Sequence, residues 1–136
     1  MAASVLVDAG FVLALLSRRD AHHQWAVAQA PSLAPPWSTC EAVLSEAFHL
    51  LGARGAPALR ALLRRRSLRV AFDLAEQMEP VLKLLQKYAD VPMSLADACL
   101  VRMTEALSDS VILTTDADFR IYRRHSRQVV PCMMPD

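Results

Sequence analysis

The stretch SVLVDAGFVLALL, residues 4 to 16, is almost entirely apolar, yet Asp8 stands near its centre and two small residues, Ala9 and Gly10, follow it. A short continuous apolar run rich in β-branched residues is the pattern of a strand covered on both faces, so SVLV reads as a strand of a buried, parallel sheet. A carboxylate kept inside such a run costs on the order of several kcal/mol if it is left unpaired. The fold must therefore supply Asp8 with a partner, a cation or a turn.

Read onward, the chain alternates strands with helices. GFVLALL turns helical, and Asp20 caps a helix through AHHQWAVAQA. PSLAPPW breaks that pattern with three prolines and carries a short extended segment. Ser38 and Glu41 have the S-x-x-E spacing of a capping box and predict a helix through about Leu51, stopped at Gly52. A further helix is expected from about Pro57 to Arg66, then a strand over LRVAF. Asp73 with Glu76 predicts a helix through about Tyr88, and Ser94 with Asp97 one through about Leu107. SVILTT is a strand, DADFRIYRR a short helix or turn, and QVVPCMM a last short strand. This order predicts a three-layer α/β/α sandwich around a mostly parallel central sheet. A length of 136 residues, without internal repeats or a long linker, predicts one domain over residues 1–136.

Composition narrows the function classes. With 54% hydrophobic and 21% charged residues, the chain is far from the polar composition of disordered proteins. No stretch reaches the roughly 18 apolar residues of a membrane span, and Asp8 with the missing basic n-region argues against a signal peptide, so a soluble protein is expected. Cys40, Cys99 and Cys132 are widely spaced with no CxxC, which speaks against a zinc knuckle or a disulfide framework and fits a reducing cytoplasm. The net charge of +1 points to no nucleic-acid partner by itself. Two arginine clusters, Arg60, Arg64, Arg65, Arg66, Arg69 and Arg120, Arg123, Arg124, Arg127, read either as solvated faces or as phosphate-binding patches.

Among the 14 acidic residues, Glu41, Asp73 and Glu76 are explained by helix starts. Glu46 is not. Val43, Ala47 and Leu50 lie three, one and four residues away, which puts it inside the apolar stripe of its helix. Asp97 is a cap residue that also flanks apolar positions, and Asp116 and Asp118 follow a strand end, where an Asx turn or a metal site are the two readings. Asp8 and Asp116 both fall at predicted C-terminal strand ends, where open α/β sheets place their ligand crevices. Carboxylates converging there would raise one another's pKa unless a divalent cation neutralised them, and oxygen-only ligands select Mg²⁺ or Mn²⁺. Such a site supports phosphodiester hydrolysis.

At these residues the sequence resembles the PIN-domain ribonucleases and, within them, the VapC-type toxins of toxin–antitoxin pairs. The resemblance runs from about Val5 to Val130 and rests on VLVDAGFVLALL with Asp8, STCEAVLSEAFHLL with Glu46, SLADACLV with Asp97, and ILTTDADF with Asp116 and Asp118. It implies a metal-dependent endoribonuclease in which Asp8, Glu46, Asp97 and Asp116 are catalytic and ligate Mg²⁺ or Mn²⁺, with Asp118 assisting directly or through water. It further implies RNA as substrate, an inhibiting antitoxin protein whose basic residue enters the carboxylate pocket, and a homodimer. Where the family usually carries Thr or Ser after the first Asp, and often Asn or another small polar residue next, this chain has Ala9 and Gly10. Thr114 and Thr115 are candidates to supply a hydroxyl to the site and to the substrate. The missing hydroxyl keeps a second reading open, a catalytically impaired PIN-like domain that binds RNA or protein. A phosphate-acceptor receiver domain does not fit, because the residues after Asp8 are apolar and no Lys follows Lys87. The four histidines, His22, His23, His49 and His125, read as structural or surface residues, and Trp25, Phe48, Phe72 and Phe119 as core.

Overall fold

The computed structural model describes residues 4–136. The elements in chain order are β1 (Ser4–Val7), α1 (Ala9–Leu16), α2 (His23–Gln29), β2 (Trp37–Thr39), α3 (Glu41–Arg64), β3 (Leu68–Val70), α4 (Met78–Lys87), α5 (Leu95–Ala106), β4 (Ser110–Leu113), β5 (Arg123–Arg124), β6 (Gln128–Val129) and β7 (Cys132–Met133). Short 3₁₀ turns span Ala30–Ser32 and Ala117–Arg120. Five strands form one sheet in the order β3-β2-β1-β4-β7, and every pair in it is parallel. The predicted α/β fold with a mostly parallel sheet is therefore what the chain adopts.

The strand order fixes where a ligand can sit. From β1 the chain winds outward through β2 to β3, then returns across the sheet through α4 and α5 to β4 on the other side of β1. Right-handed crossovers place α1 to α3 on one face and α4 with α5 on the other, so the winding direction reverses between β1 and β4. That reversal is the position at which open α/β sheets form a crevice beyond the strand C-termini. Leu6, Val7, Ile112 and Leu113, which pair along β1 and β4, are completely buried, as strands covered on both faces require. No helix among the described residues is long and apolar enough to cross a membrane.

Several local expectations are revised. Ser38 does not cap a helix: Ser38 and Thr39 are strand residues, Thr39 donates its hydroxyl to the Val7 carbonyl at 2.9 Å, and Cys40 is the N-cap without any side-chain bond. Pairing of β2 with β1 and β3 recruits the residues that the capping box would have used. Asp73 accepts from the Glu76 N–H at 3.3 Å, but this closes a turn, and α4 starts only at Met78. Gly52 interrupts α3 as expected, with φ 65° and ψ −168°, a conformation reserved for glycine, and the helix resumes before Pro57. The expected terminal strand is split at Pro131. Residues 123–129 form an antiparallel hairpin, β5 with β6, whose turn holds His125 and Ser126 at positive φ, and β7 alone joins the main sheet.

The aromatic expectation holds for Phe119, which is fully buried, while Trp25, Phe48 and Phe72 are half-buried against the core. Arg60, Arg64, Arg65, Arg66 and Arg69 face solvent, whereas Arg123 and Arg124 donate to backbone carbonyls of Tyr122 (2.9 Å) and Thr104 (2.9 Å) and brace the hairpin. Cys40, Cys99 and Cys132 are free thiols.

Candidate metal centre

Asp8 follows the last residue of β1 and caps α1. One carboxylate oxygen accepts the Ala9 N–H at 2.8 Å, and the other accepts the Thr114 hydroxyl at 2.8 Å. The partner demanded by the apolar run is thus a helix start on one side and a neighbouring strand end on the other. These bonds do not cancel the cost of burial. Asp8 is only 6% exposed, and desolvation, opposed by the two hydrogen bonds and reinforced by the charges of Asp97 and Glu46, pushes its carboxyl up to about 7.

Thr114 is the link between the two strand ends. While its hydroxyl donates to Asp8, its oxygen accepts the Asp116 N–H at 3.0 Å. Asp116 in turn accepts the Asp118 N–H at 2.9 Å and caps the 3₁₀ turn that follows β4. Thr114 is fully buried, so the expectation that it contacts substrate is corrected: its hydroxyl is consumed in holding Asp8 and Asp116 at a fixed separation.

Asp97 comes from the first turn of α5. The Ser94 hydroxyl accepts its N–H at 3.0 Å, completing the helix cap read from the sequence, while the carboxylate faces the crevice and accepts the Tyr122 hydroxyl at 2.7 Å. Capping and cluster membership are compatible because they use opposite ends of the same residue. Burial and the nearby Asp116 raise the Asp97 carboxyl above its ordinary range, against the lowering effect of the Tyr122 and Ser94 bonds. Tyr122 is fully buried and packs edge-on against Tyr88 and Phe119, with ring centroids 5.1 and 5.3 Å away. No sequence reading pointed to Tyr122, because the contact spans 25 positions and arises only when the 3₁₀ turn folds back under α5.

One oxygen from each of Asp8, Asp97 and Asp116 lies within 4.8 Å of the other two. Asp118 and Glu46 do not belong to this trio, but both line the same cavity of about 320 Å³. For Glu46 it is the expected burial that the structure corrects. It is exposed on α3, since only Val43 and Ala47 of the expected stripe are buried and Leu50 is 54% exposed. Gly10, Pro92, Ser94 and Thr115 complete the lining of that cavity. The histidines are elsewhere, and the His23 ring pairs with the Ala14 carbonyl at 2.7 Å.

The donor set fits a hard divalent cation. All three converging groups are carboxylates, each is held by a hydrogen bond on an oxygen that still has a free lone pair, and their mutual repulsion is the charge imbalance that a cation removes. Soft ligands are missing from the cluster, which disfavours zinc.

The PIN-domain family profile matches residues 5–124 of the chain. Among solved structures, the chain is similar to Mycobacterium tuberculosis VapC20, a toxin that cleaves the sarcin–ricin loop, with a TM-score of 0.75 and 27% identity over 85% of this chain and 92% of that one. It also shares the fold of PAE2754 from Pyrobaculum aerophilum, with a TM-score of 0.50 and 24% identity over 87% of this chain and 84% of that one. No curated protein sequence gives a significant match.

Proposed function

The chain belongs to the PIN-domain family, and from that premise we propose that it is a metal-dependent endoribonuclease, a toxin of the VapC type held in check by a cognate antitoxin. The observation that carries this reading is the convergence of Asp8, Asp97 and Asp116 at the topological switch point between β1 and β4. The likeness to VapC20, itself an RNA-cleaving toxin, supports RNA as the substrate class.

In this reading Asp8, Asp97 and Asp116 hold Mg²⁺ or Mn²⁺, and Glu46 and Asp118 act from the edge of the site, directly or through water. When bound, the cation neutralises charge on the scissile phosphate and makes water a stronger nucleophile at neutral pH. The protein's own contribution is preorganisation. Thr114 fixes Asp8 against Asp116, and Tyr122 fixes Asp97, so the three carboxylates need little rearrangement when charge develops at the phosphate. The side-chain oxygens of Glu46 and Asp118 form no hydrogen bonds among the described residues, which leaves them available to orient water at the cavity mouth or take up a proton.

The same acidic cavity suits a basic side chain of an antitoxin, which would replace the cation's charge. A homodimer and a single PIN domain over residues 1–136 belong to this proposal, as does a reducing, cytoplasmic setting for the free thiols. The alternative of an impaired binding domain rested on Ala9 and Gly10. The hydroxyl that Thr114 gives Asp8 supports the catalytic reading instead.

The test is incubation of a mixed RNA pool with the purified protein in Mn²⁺ or Mg²⁺, in EDTA, and with Asp97→Asn prepared in parallel. Cleavage that needs metal and disappears in the variant is the expected result. A wild type that binds Mn²⁺ yet cuts no RNA in either ion overturns the nuclease assignment and returns the protein to the binding-module reading.

A further inference from the structure

Gly10 is the second residue of α1, where alanine would be the better helix former. Its backbone does not demand glycine, in contrast to Gly52, which sits at positive φ with open space around it. What Gly10 provides is room: a Cβ at this position would collide with Oγ1 of Thr115, while the Thr115 Cβ and N would stay at ordinary distances of 3.5 and 3.7 Å. The helix start is thus hollowed out for one hydroxyl.

That hydroxyl points to a ligand. Gly10 and Thr115 both line the acidic cavity, and the Thr115 hydroxyl forms no hydrogen bond among the described residues, unlike its neighbour Thr114, which is fully engaged. Every carboxylate around it is an acceptor, and an RNA phosphate is also an acceptor. Apart from bound cations, an anionic substrate entering this cavity needs a donor, and Thr115 stands on its rim with its hydrogen unspent.

Resting on the nuclease reading above, we propose that the Thr115 hydroxyl is a substrate contact that donates to a non-bridging oxygen of the RNA phosphate, and that Gly10 is the positioning residue that keeps it aimed into the cavity. An added methyl at position 10 forces the threonine side chain to rotate about χ1, which turns the hydroxyl away without moving any carboxylate.

The experiment measures binding of a fluorescently labelled RNA oligonucleotide pool in Ca²⁺ by anisotropy, cleavage of the same pool in Mn²⁺, Mn²⁺ affinity, and thermal unfolding as a check on folding. Thr115→Val should weaken RNA binding by about 10- to 100-fold, the range for a lost hydrogen bond to a charged group, with Mn²⁺ affinity unchanged. Thr115→Ser should stay within a few-fold of wild type. Gly10→Ala should resemble Thr115→Ala, and Gly10→Ala combined with Thr115→Ala should be no worse than Thr115→Ala alone, because both changes remove the same contact. Thr115→Val that binds RNA as wild type does, or that loses Mn²⁺ affinity in parallel, overturns the contact. Should the wild type bind RNA without cutting it, the nuclease reading fails while the binding series still decides on Thr115. A wild type that neither binds nor cuts RNA overturns both.

Discussion

Two walls of one crevice carry its acids in opposite ways. On the strand wall Asp8, Thr114 and Asp116 are joined by hydrogen bonds of 2.8 and 3.0 Å, and Asp8 is 6% exposed with its carboxyl pushed up to about 7. On the helix wall Glu46 is exposed, and its side chain makes no hydrogen bond among the described residues. The strand wall holds its geometry before any cation arrives and stores the electrostatic cost of doing so. The helix wall stands open to water and, for the same reason, fixes nothing. If function follows preorganisation, sensitivity to substitution should fall steeply from the first wall to the second.

The largest effect is expected at the trio. Asp8→Asn and Asp97→Asn should each lower RNA cleavage by at least about 10³-fold, since each removes a ligand charge from a site whose chemistry depends on the cation. Retention of cleavage in Asp8→Asn, measured with the same RNA pool and Mn²⁺, would break the comparison at its strongest point.

Next in size is the pH dependence of the metal-free protein. Asp8 titrates near 7 when folded and near the ordinary carboxylate value when unfolded, and Asp97 shifts in the same direction. Between about pH 4 and pH 7 the folded state therefore binds more protons than the unfolded state, so stability falls as pH rises through that window. The expected loss is on the order of a few kcal/mol, readable by urea unfolding in EDTA at pH 5 and pH 7.5. Asp8→Asn should flatten most of this slope, and Mn²⁺ should oppose it by binding the ionised form. A metal-free protein that gains stability as pH rises would show that the strand wall is not strained by its charge.

The difference between the walls also marks what could be read from the sequence. The strand wall was legible because its signal is local: an acid at the end of an apolar, β-branched run can only emerge at the C-terminal edge of a buried strand, and SVLV with Asp8 and SVIL with Asp116 both do so. Asp97 was legible for a similar reason, since the Ser94 cap fixes where α5 begins and so which way its first turn faces. The exposure of Glu46 was not legible, because helical spacing gives the faces of α3 but not how much of each face is covered, and Leu50 is left 54% exposed. The Ser38–Glu41 box failed because local capping competes with long-range strand pairing, which no window of a few residues contains. The contacts of Tyr122 with Asp97 and of Thr114 with Asp8 join residues 25 and 106 positions apart, and only the assembled fold creates them.

A smaller effect is expected at Thr114, the residue that makes the strand wall a unit. Thr114→Val keeps the shape but deprives Asp8 of a donor and leaves the Asp116 N–H without its acceptor. Roughly 1–3 kcal/mol of stability should be lost, and cleavage should fall by about 10- to 100-fold as the two carboxylates lose their fixed separation. Because the hydrogen bond from Thr114 lowers the Asp8 carboxyl, its removal should also move the steep part of the pH–stability curve to higher pH. Thr114→Ser should restore both quantities.

The smallest effect is expected at Glu46. Its carboxylate is solvated, so Glu46→Gln should change stability by no more than about 0.5 kcal/mol. Its charge nevertheless reaches Asp8, and removing it should let the Asp8 carboxyl fall slightly toward its ordinary value. Cleavage should drop only about 3- to 10-fold, because a carboxylate that is free to move supplies charge and a water partner without setting geometry. Parallel titrations of Mn²⁺ into wild type, Glu46→Gln and Asp8→Asn separate the two walls directly: affinity should change little in the first variant and collapse in the second. Equal losses in both would mean that α3 closes on the cation and brings Glu46 into its coordination shell, which would make the helix wall the part of the site that moves on binding.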